Sequence, residues 1–335
     1  MAITSVADQA RSFFLRQNQA QVKTDLTRLT QELSSGQASD LSKALRGDFS
    51  ALSGIERSLR LFDAYRNSGA EAALQTSAAQ AALGTIQDQL FELGPALLAA
   101  SGTGAGQEME IVAASAEDRL NTSIAMLNQQ VAGRALFSGT ATDTTPLISA
   151  DALLAQLAPL AAGAVDATDL ITTLDSWFMD AGGGFETLAY QGSTNPAAGF
   201  SVAEGETIAN PLSALDPALR KSLMVMALTS LVARGQGPAT EADKQQLLET
   251  AALQMIEGNE GVTGLRAGLG DVEARIESAM VRNDTARGFL ELERNALTGI
   301  DPFTVATELQ EAQTRLESLY LLTTRLSRLS LTEYM

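Results

Sequence analysis

Apolar residues near the start of the chain recur with helical spacing: Val22, Leu26, Leu29 and Leu33 step by 4, 3 and 4, and Leu15 stands one heptad before Val22. That spacing predicts an amphipathic helix with a narrow apolar stripe, ended by Ser34-Ser35-Gly36. A second helical pattern passes through Leu41, Leu45, Phe49, Leu52, Leu59 and Phe62. A third passes through Leu83, Ile86, Leu90, Leu93 and Leu97 into the loop 101–106, and a fourth spans 108–137 with Ile124, Leu127 and Val131 among its apolar positions. Between 139 and 210 the pattern falls into short pieces around Pro146, Pro159, Gly182-Gly183-Gly184 and Pro196, as expected of a small insert of mixed, β-containing structure.

Helical signals resume at Pro211, and from Leu265 they become very regular. Leu265, Leu269, Val272, Ile276, Ala279, Asn283, Ala286, Leu290, Glu293, Leu297 and Ile300 alternate steps of 4 and 3, which is a coiled-coil seam. Asn283 has two readings here: a polar seam residue that fixes register, or a surface residue where the helix drifts off the seam. Asp301-Pro302 opens the last helix, Asp as N-cap and Pro in the first turn. Val305, Leu309, Ala312, Leu316, Leu319, Thr323 and Leu326 then form its stripe. Neither terminal stripe has a partner adjacent in sequence. The simplest architecture is a hairpin of the whole chain, mainly α. Residues 1–36 and 303–335 form a terminal coiled-coil assembly domain, 37–138 and 211–302 a helical bundle, and 139–210 an outer tip. The expected assembly interface is Val22, Leu26, Leu29, Leu33, Leu309, Leu316, Leu319 and Leu326.

Composition narrows the chemistry. The 335 residues contain no Cys and no His, which removes thiol and imidazole catalysis, zinc sites of the usual ligands and disulfides. Nothing places a carboxylate pair in a pocket, so no enzyme, cofactor or metal is expected. Glycines 102, 104 and 106 lack the Lys-Ser/Thr of a phosphate loop, and 264, 268 and 270 lie at the start of the seam. Asp166, Asp169 and Asp175 lack the spacing of a calcium loop. The net charge of −17 disfavours nucleic acid and anionic membranes. The longest apolar runs are far shorter than the roughly 20 residues of a membrane span, and the start lacks the pattern of a cleaved secretion signal.

The charge is unevenly placed. Residues 1–35 carry four basic and three acidic side chains, and 303–335 carry three and four, so the ends are nearly neutral. Between Arg134 and Arg220 there is no Lys or Arg, against ten acidic residues. Neutral amphipathic ends suit packing among copies, while an acidic segment suits water. Phe13, Phe14 and Tyr320 have two readings, contacts between copies or buried core.

Three segments resemble one family. LTRLTQELSSG (26–36) is similar to the N-terminal stretch of flagellins and their junction relatives, GRALFSGT (133–140) to the segment leading to the outer domain of hook-associated members, and RLSRLSLTEYM (325–335) to the tail of the hook-associated junction proteins. After the Ser-Gly turn the chain reads QASDLSKALRGD, without the family's paired Asp. The resemblance implies a structural protein of the flagellin superfamily, located extracellularly in the bacterial flagellum and exported by the type III apparatus without a cleaved signal. Implied partners are copies of itself in a ring, flagellin, a neighbouring hook-associated protein and an export chaperone on the C-terminal helix. Two alternatives stay open. One is a flagellin filament subunit. The other is an amphipathic-helix adaptor or lipid-surface protein, although the stripes lack the Trp and Lys/Arg enrichment of interfacial helices.

Overall fold

The computed structural model describes the backbone of residues 2–102 and 106–332 and the side chains of residues 9–101 and 107–325. In chain order the elements are α1 (Ala2–Ser35), α2 (Leu41–Ala44), α3 (Ser50–Gly102), α4 (Gly106–Ala114), α5 (Ala116–Leu127), β1 (Gln130–Val131), β2 (Arg134–Ala135), α6 (Ala150–Gly163), α7 (Ala167–Met179), a π turn (Phe185–Ala189), β3 (Phe200–Ala203), β4 (Glu206–Ile208), α8 (Pro217–Ala233), α9 (Glu241–Thr298) and α10 (Pro302–Thr332). The fold is mainly α, with two small two-stranded antiparallel sheets, as the periodicity implied. The chain divides into two compact units, residues 1–63 with 284–335 and residues 64–283, and α3 and α9 have residues in both.

The second unit is built around α8. From Leu219 to Val232 every residue but Lys221 is buried, so this helix has no solvent face and must be surrounded. Helices α4, α5, α6 and α7 pack on it. Leu83, Ile86, Leu90 and Leu93 of α3 and Leu248, Met255 and Val262 of α9 belong to the same apolar core. Burying Ser222, Thr229 and Ser230 is tolerable because each hydroxyl donates to the carbonyl four residues back, at 2.7–2.8 Å. Arg220 is buried without a carboxylate partner. Its guanidinium donates to the Phe178 and Asp180 carbonyls at the end of α7, the second of which also accepts from the Gly183 N–H at 3.0 Å. Residues 139–210 share this core rather than forming one of their own, through Leu153, Leu157, Leu170, Leu174, Phe178 and Phe185.

Within this unit α3 and α9 run antiparallel. Gln80 Nε2 donates to the Arg266 carbonyl at 2.8 Å, Gln87 Nε2 to Thr263 Oγ1 at 2.7 Å, and a Cβ on Gly69 would lie 2.8 Å from Met280 Cγ. The β3–β4 hairpin covers part of this pair, with Phe200, Val202 and Ile208 packed on Ala72, Ile276 and Ala279. The hairpin decides between the two readings of Asn283. The residue is buried, and its Nδ2 donates to the Val202 carbonyl at 2.7 Å.

Several expected boundaries move. The second and third helical patterns are largely one helix, α3, whose start is held by Asp48 Oδ1, which accepts from the Ser50 N–H at 2.9 Å. The second pattern is broken before it, because Arg46 and Gly47 take positive φ after the one-turn α2. The fourth pattern divides at Ser115 and stops at Leu127, where the chain turns into the β1–β2 hairpin through Ala132 and Gly133, both at positive φ as this tight turn requires. Gly139 is confined for a different reason: a Cβ there would meet the Ser193 and Asn195 carbonyl oxygens. Asp301 caps α10 as expected, Oδ1 accepting from the Phe303 N–H at 3.1 Å and Oδ2 from Thr304 Oγ1 at 2.8 Å.

Asn283→Ala leaves the Val202 carbonyl without its donor, so the second unit should lose about 1–2 kcal/mol in urea denaturation. An unchanged midpoint would show that water replaces the amide without cost.

Candidate assembly surface

The first unit is assembled around a corner. Gly36, at φ +71°, ends α1, and its N–H donates to the Glu32 carbonyl at 2.8 Å. Residues 36–38 then pair with the link between α9 and α10: the Ala38 N–H donates to the Thr298 carbonyl at 2.8 Å and the Ile300 N–H to the Gly36 carbonyl at 3.1 Å. Glu32 lies buried under this crossing. Its Oε2 accepts from Arg28 at 2.9 Å and its Oε1 from the Ser39 N–H at 3.0 Å, so the buried charge is both paired and hydrogen-bonded.

From the corner α1 and α10 run antiparallel and pack together. Val22 and Leu29 are buried and Leu26 half-buried; opposite them Val305 is buried and Leu309, Ala312, Leu316 and Leu319 are half-buried. Further along, Lys23 Nζ sits 6.0 Å from the centre of the Tyr320 ring. Six of the eight expected interface residues are therefore drawn into one seam within the chain. Leu33 is exposed at its end, and the side chain of Leu326 lies outside the described residues.

A pair of helices buries only one stripe of each. The remainder of this unit is unusually apolar for a surface. Of its six Phe residues, Phe13, Phe14, Phe49, Phe289 and Phe303 are exposed, Phe303 by 81%, and Leu292, Leu321 and Leu322 are exposed too. In the second unit Phe137, Phe178, Phe185 and Phe200 are buried and Phe91 is exposed. Sequence reasoning missed Phe289, Leu292, Phe303, Leu321 and Leu322, although a signal was present. Each is apolar yet off the 4-3 seam of its own helix, and so faces away from the partner that the seam predicts. Charge follows the same division, with 13 basic and 15 acidic residues in the first unit and 10 and 25 in the second.

Other positions weighed from sequence have structural roles. Gly264 and Gly268 lie inside α9, where they line a cleft of about 430 Å³ in the second unit with Leu83, Leu212 and Asp216. Gly104 is outside the described residues. Asp166 caps α7 by accepting from the Asp169 N–H at 2.9 Å, and Asp175 pairs with Lys221 at 3.4 Å. Asp216 caps α8, accepting from the Ala218 N–H at 2.9 Å. Burial pushes its carboxyl above the usual range, and the Ala218 N–H only partly offsets this. Among the described residues no group of His, Cys, Asp and Glu is arranged to hold a metal ion, and no helix is long and apolar enough to cross a membrane.

No protein-family model and no curated protein matches the sequence. The fold is similar to that of a structure described as a flagellar hook-associated protein from Vibrio parahaemolyticus, at a TM-score of 0.51 and 15% identity over 73% of this chain and 95% of that one. FlgL from Bacillus cereus compares at a TM-score of 0.49 and 14% identity, over 75% of this chain and 100% of that one. The likeness is one of fold.

The raised Asp216 pKa has a definite sign. The folded state holds the proton more tightly than the unfolded chain, so the ionised form is a liability that grows as pH rises through the folded pKa. Asn caps as well as Asp. Asp216→Asn should therefore raise the melting temperature at pH 7, and the gain should vanish below the model-compound value of 3.8. A gain that persists at low pH would assign the effect to something other than ionisation.

Proposed function

We propose that the chain is a structural subunit of the bacterial flagellum, a hook-associated junction protein that connects the hook to the flagellin filament by self-assembly through its terminal helices. The observation that carries this reading is the surface of the first unit, where five Phe side chains and several Leu side chains of α1, α9, α10 and the start of α3 face solvent. Exposed aromatic and Leu side chains in this number within one unit favour an interaction surface, and a nearly neutral unit can be stacked without accumulating repulsion. The more acidic second unit has its own core and is the part suited to water. The three sequence segments and the likeness in fold favour a flagellar context. In this reading the protein is not an enzyme. It lies outside the cell after export without a cleaved signal, and it meets copies of itself in a ring, flagellin, a neighbouring hook-associated protein and, before export, a chaperone on α10.

The reading shifts the interface from the seam to the faces turned away from it. Leu319 is half-buried against α1, so a charge there would loosen the pair itself and confuse folding with assembly. Phe303 is a cleaner probe. It is exposed and sits in the first turn of α10, where Asp favours the helix. Thr168 is the matching exposed position, second in α7. A strain lacking the gene should make hooks without filaments and release flagellin to the medium. Wild-type chain and Thr168→Asp should restore filaments, while Phe303→Asp should not, although its unfolding free energy should change by no more than about 0.5 kcal/mol. Filaments of normal length with both Phe303→Asp and Leu322→Asp would overturn the assignment of assembly to these faces.

A further inference from the structure

One exposed apolar strip belongs to neither core nor terminal helices. On α3, Phe91 is 67% exposed and Leu98 is exposed one heptad later, on the side of the helix adjoining α9. A Cβ on Gly94, between them, would lie 3.7 Å from Ile256 Cγ1, which places Ile256 and the neighbouring Leu253 of α9 beside this side of α3; both are exposed. Gly94 is buried and lets the two helices close together, since a Cβ there would lie 3.1 Å from Met255 Cβ, and the four exposed apolar side chains flank the shallow groove that runs between two helices packed in this way. Its rim is acidic. Asp88, Glu257 and Glu260 are exposed, and Glu92, next to Phe91, pairs with Arg119 at 2.9 Å. No basic residue occurs on α9 between Lys244 and Arg266.

An apolar floor with an acidic rim calls for a helix with apolar anchors between basic residues. This chain contains such a segment. Residues 11–23, RSFFLRQNQAQVK, hold Arg11, Arg16 and Lys23 and no acidic residue. Phe13 and Phe14 stand 64% and 67% exposed between the first two. We infer that the groove of one copy receives the Phe13–Phe14 face of α1 from a second copy, with Arg11 and Arg16 against the acidic rim. The inference rests on the proposed self-assembly and names a contact within it. The two surfaces differ, so the contact is head-to-tail. Each copy offers both halves and can engage two neighbours, which is the arrangement that closes rings or extends filaments. The second unit as a whole carries 25 acidic residues against 10 basic ones. Contact between two such units is therefore disfavoured, and the basic stretch of α1 becomes the complementary surface.

The absence of Cys makes the test direct. Full-length Phe13→Cys and full-length Leu253→Cys, carrying tags of different size, are mixed at concentrations where wild-type chains associate in sedimentation, and then oxidised. The expected product is a disulfide-linked pair of two different copies. Its yield should exceed that of Phe13→Cys mixed with Thr168→Cys by about tenfold, and Phe91→Glu in the Leu253→Cys chain should remove the excess, as expected for loss of one interface anchor. Circular dichroism should be unchanged, because Phe91 is already in solvent. A yield no greater than the control overturns the inference. So does a link formed within one dilute chain carrying both cysteines. Loss of filaments in Phe91→Glu cells without loss of the cross-link would assign the groove to another partner and overturn it equally. If chains associate normally but do not cross-link, the docking fails and the assembly role stands. If wild-type chains never associate, both fail.

Discussion

A helix that packs against one other helix can cover a single stripe, whatever its length, and the first unit is built under that limit. The α1–α10 seam buries Val22, Leu29 and Val305 and half-covers Leu309, Leu316 and Leu319. Helices gain most of their stability from packing of this kind rather than from propensity. The seam is thin, and the corner compensates by fixing where the two helices meet. Buried Glu32 links Arg28 to the Ser39 N–H, and residues 36–38 pair with 298–300. The corner sets the register, while the apolar residues beyond the seam remain uncovered. Further burial for this unit has to come from outside the chain.

The second unit solves the opposite problem. Its central helix α8 is apolar on every side, so it becomes stable only when others surround it. Helices α4 to α7 pack on it, and side chains of α3 and α9 complete its core. The buried hydroxyls of Ser222, Thr229 and Ser230 donate to carbonyls of α8 itself, and Arg220 serves the end of α7. This core needs no partner, and the surface around it is acidic: 25 acidic residues lie in this unit against 10 basic ones, while the first unit is nearly neutral.

The parts legible in the sequence are those where a strong local period and a strong local stop coincide. The α1 stripe ending at Gly36, the α9 seam and the Asp301-Pro302 start of α10 are of this kind. The continuity of α3 was hidden because its middle is held by Ala72, Thr76, Ala79 and Ala82, all buried but too small to mark a stripe. The role of Asn283 was undecidable because its partner, the Val202 carbonyl, lies 81 residues away and on a strand. The expected tip was misleading in another way. Residues 139–210 are punctuated like a separate piece, yet their Leu and Phe side chains enter the core of α8, and local pattern carries no information about which core a segment joins.

For the candidate site the sequence showed the stripe, and the stripe pointed inward. A 4-3 seam identifies the residues that a helix pairs first, so in a chain whose ends pair with each other it marks the intramolecular contact. What remains for other molecules is the apolar residue that breaks the seam. Phe13, Phe14, Phe289, Leu292, Phe303, Leu321 and Leu322 are all of this type, and all are exposed. They would cost solubility in a chain that stayed single. Their concentration in the one unit that cannot cover them, while the second unit buries Phe137, Phe178, Phe185 and Phe200 and exposes Phe91, is the physical basis for reading the ends of this chain as the part that other copies complete.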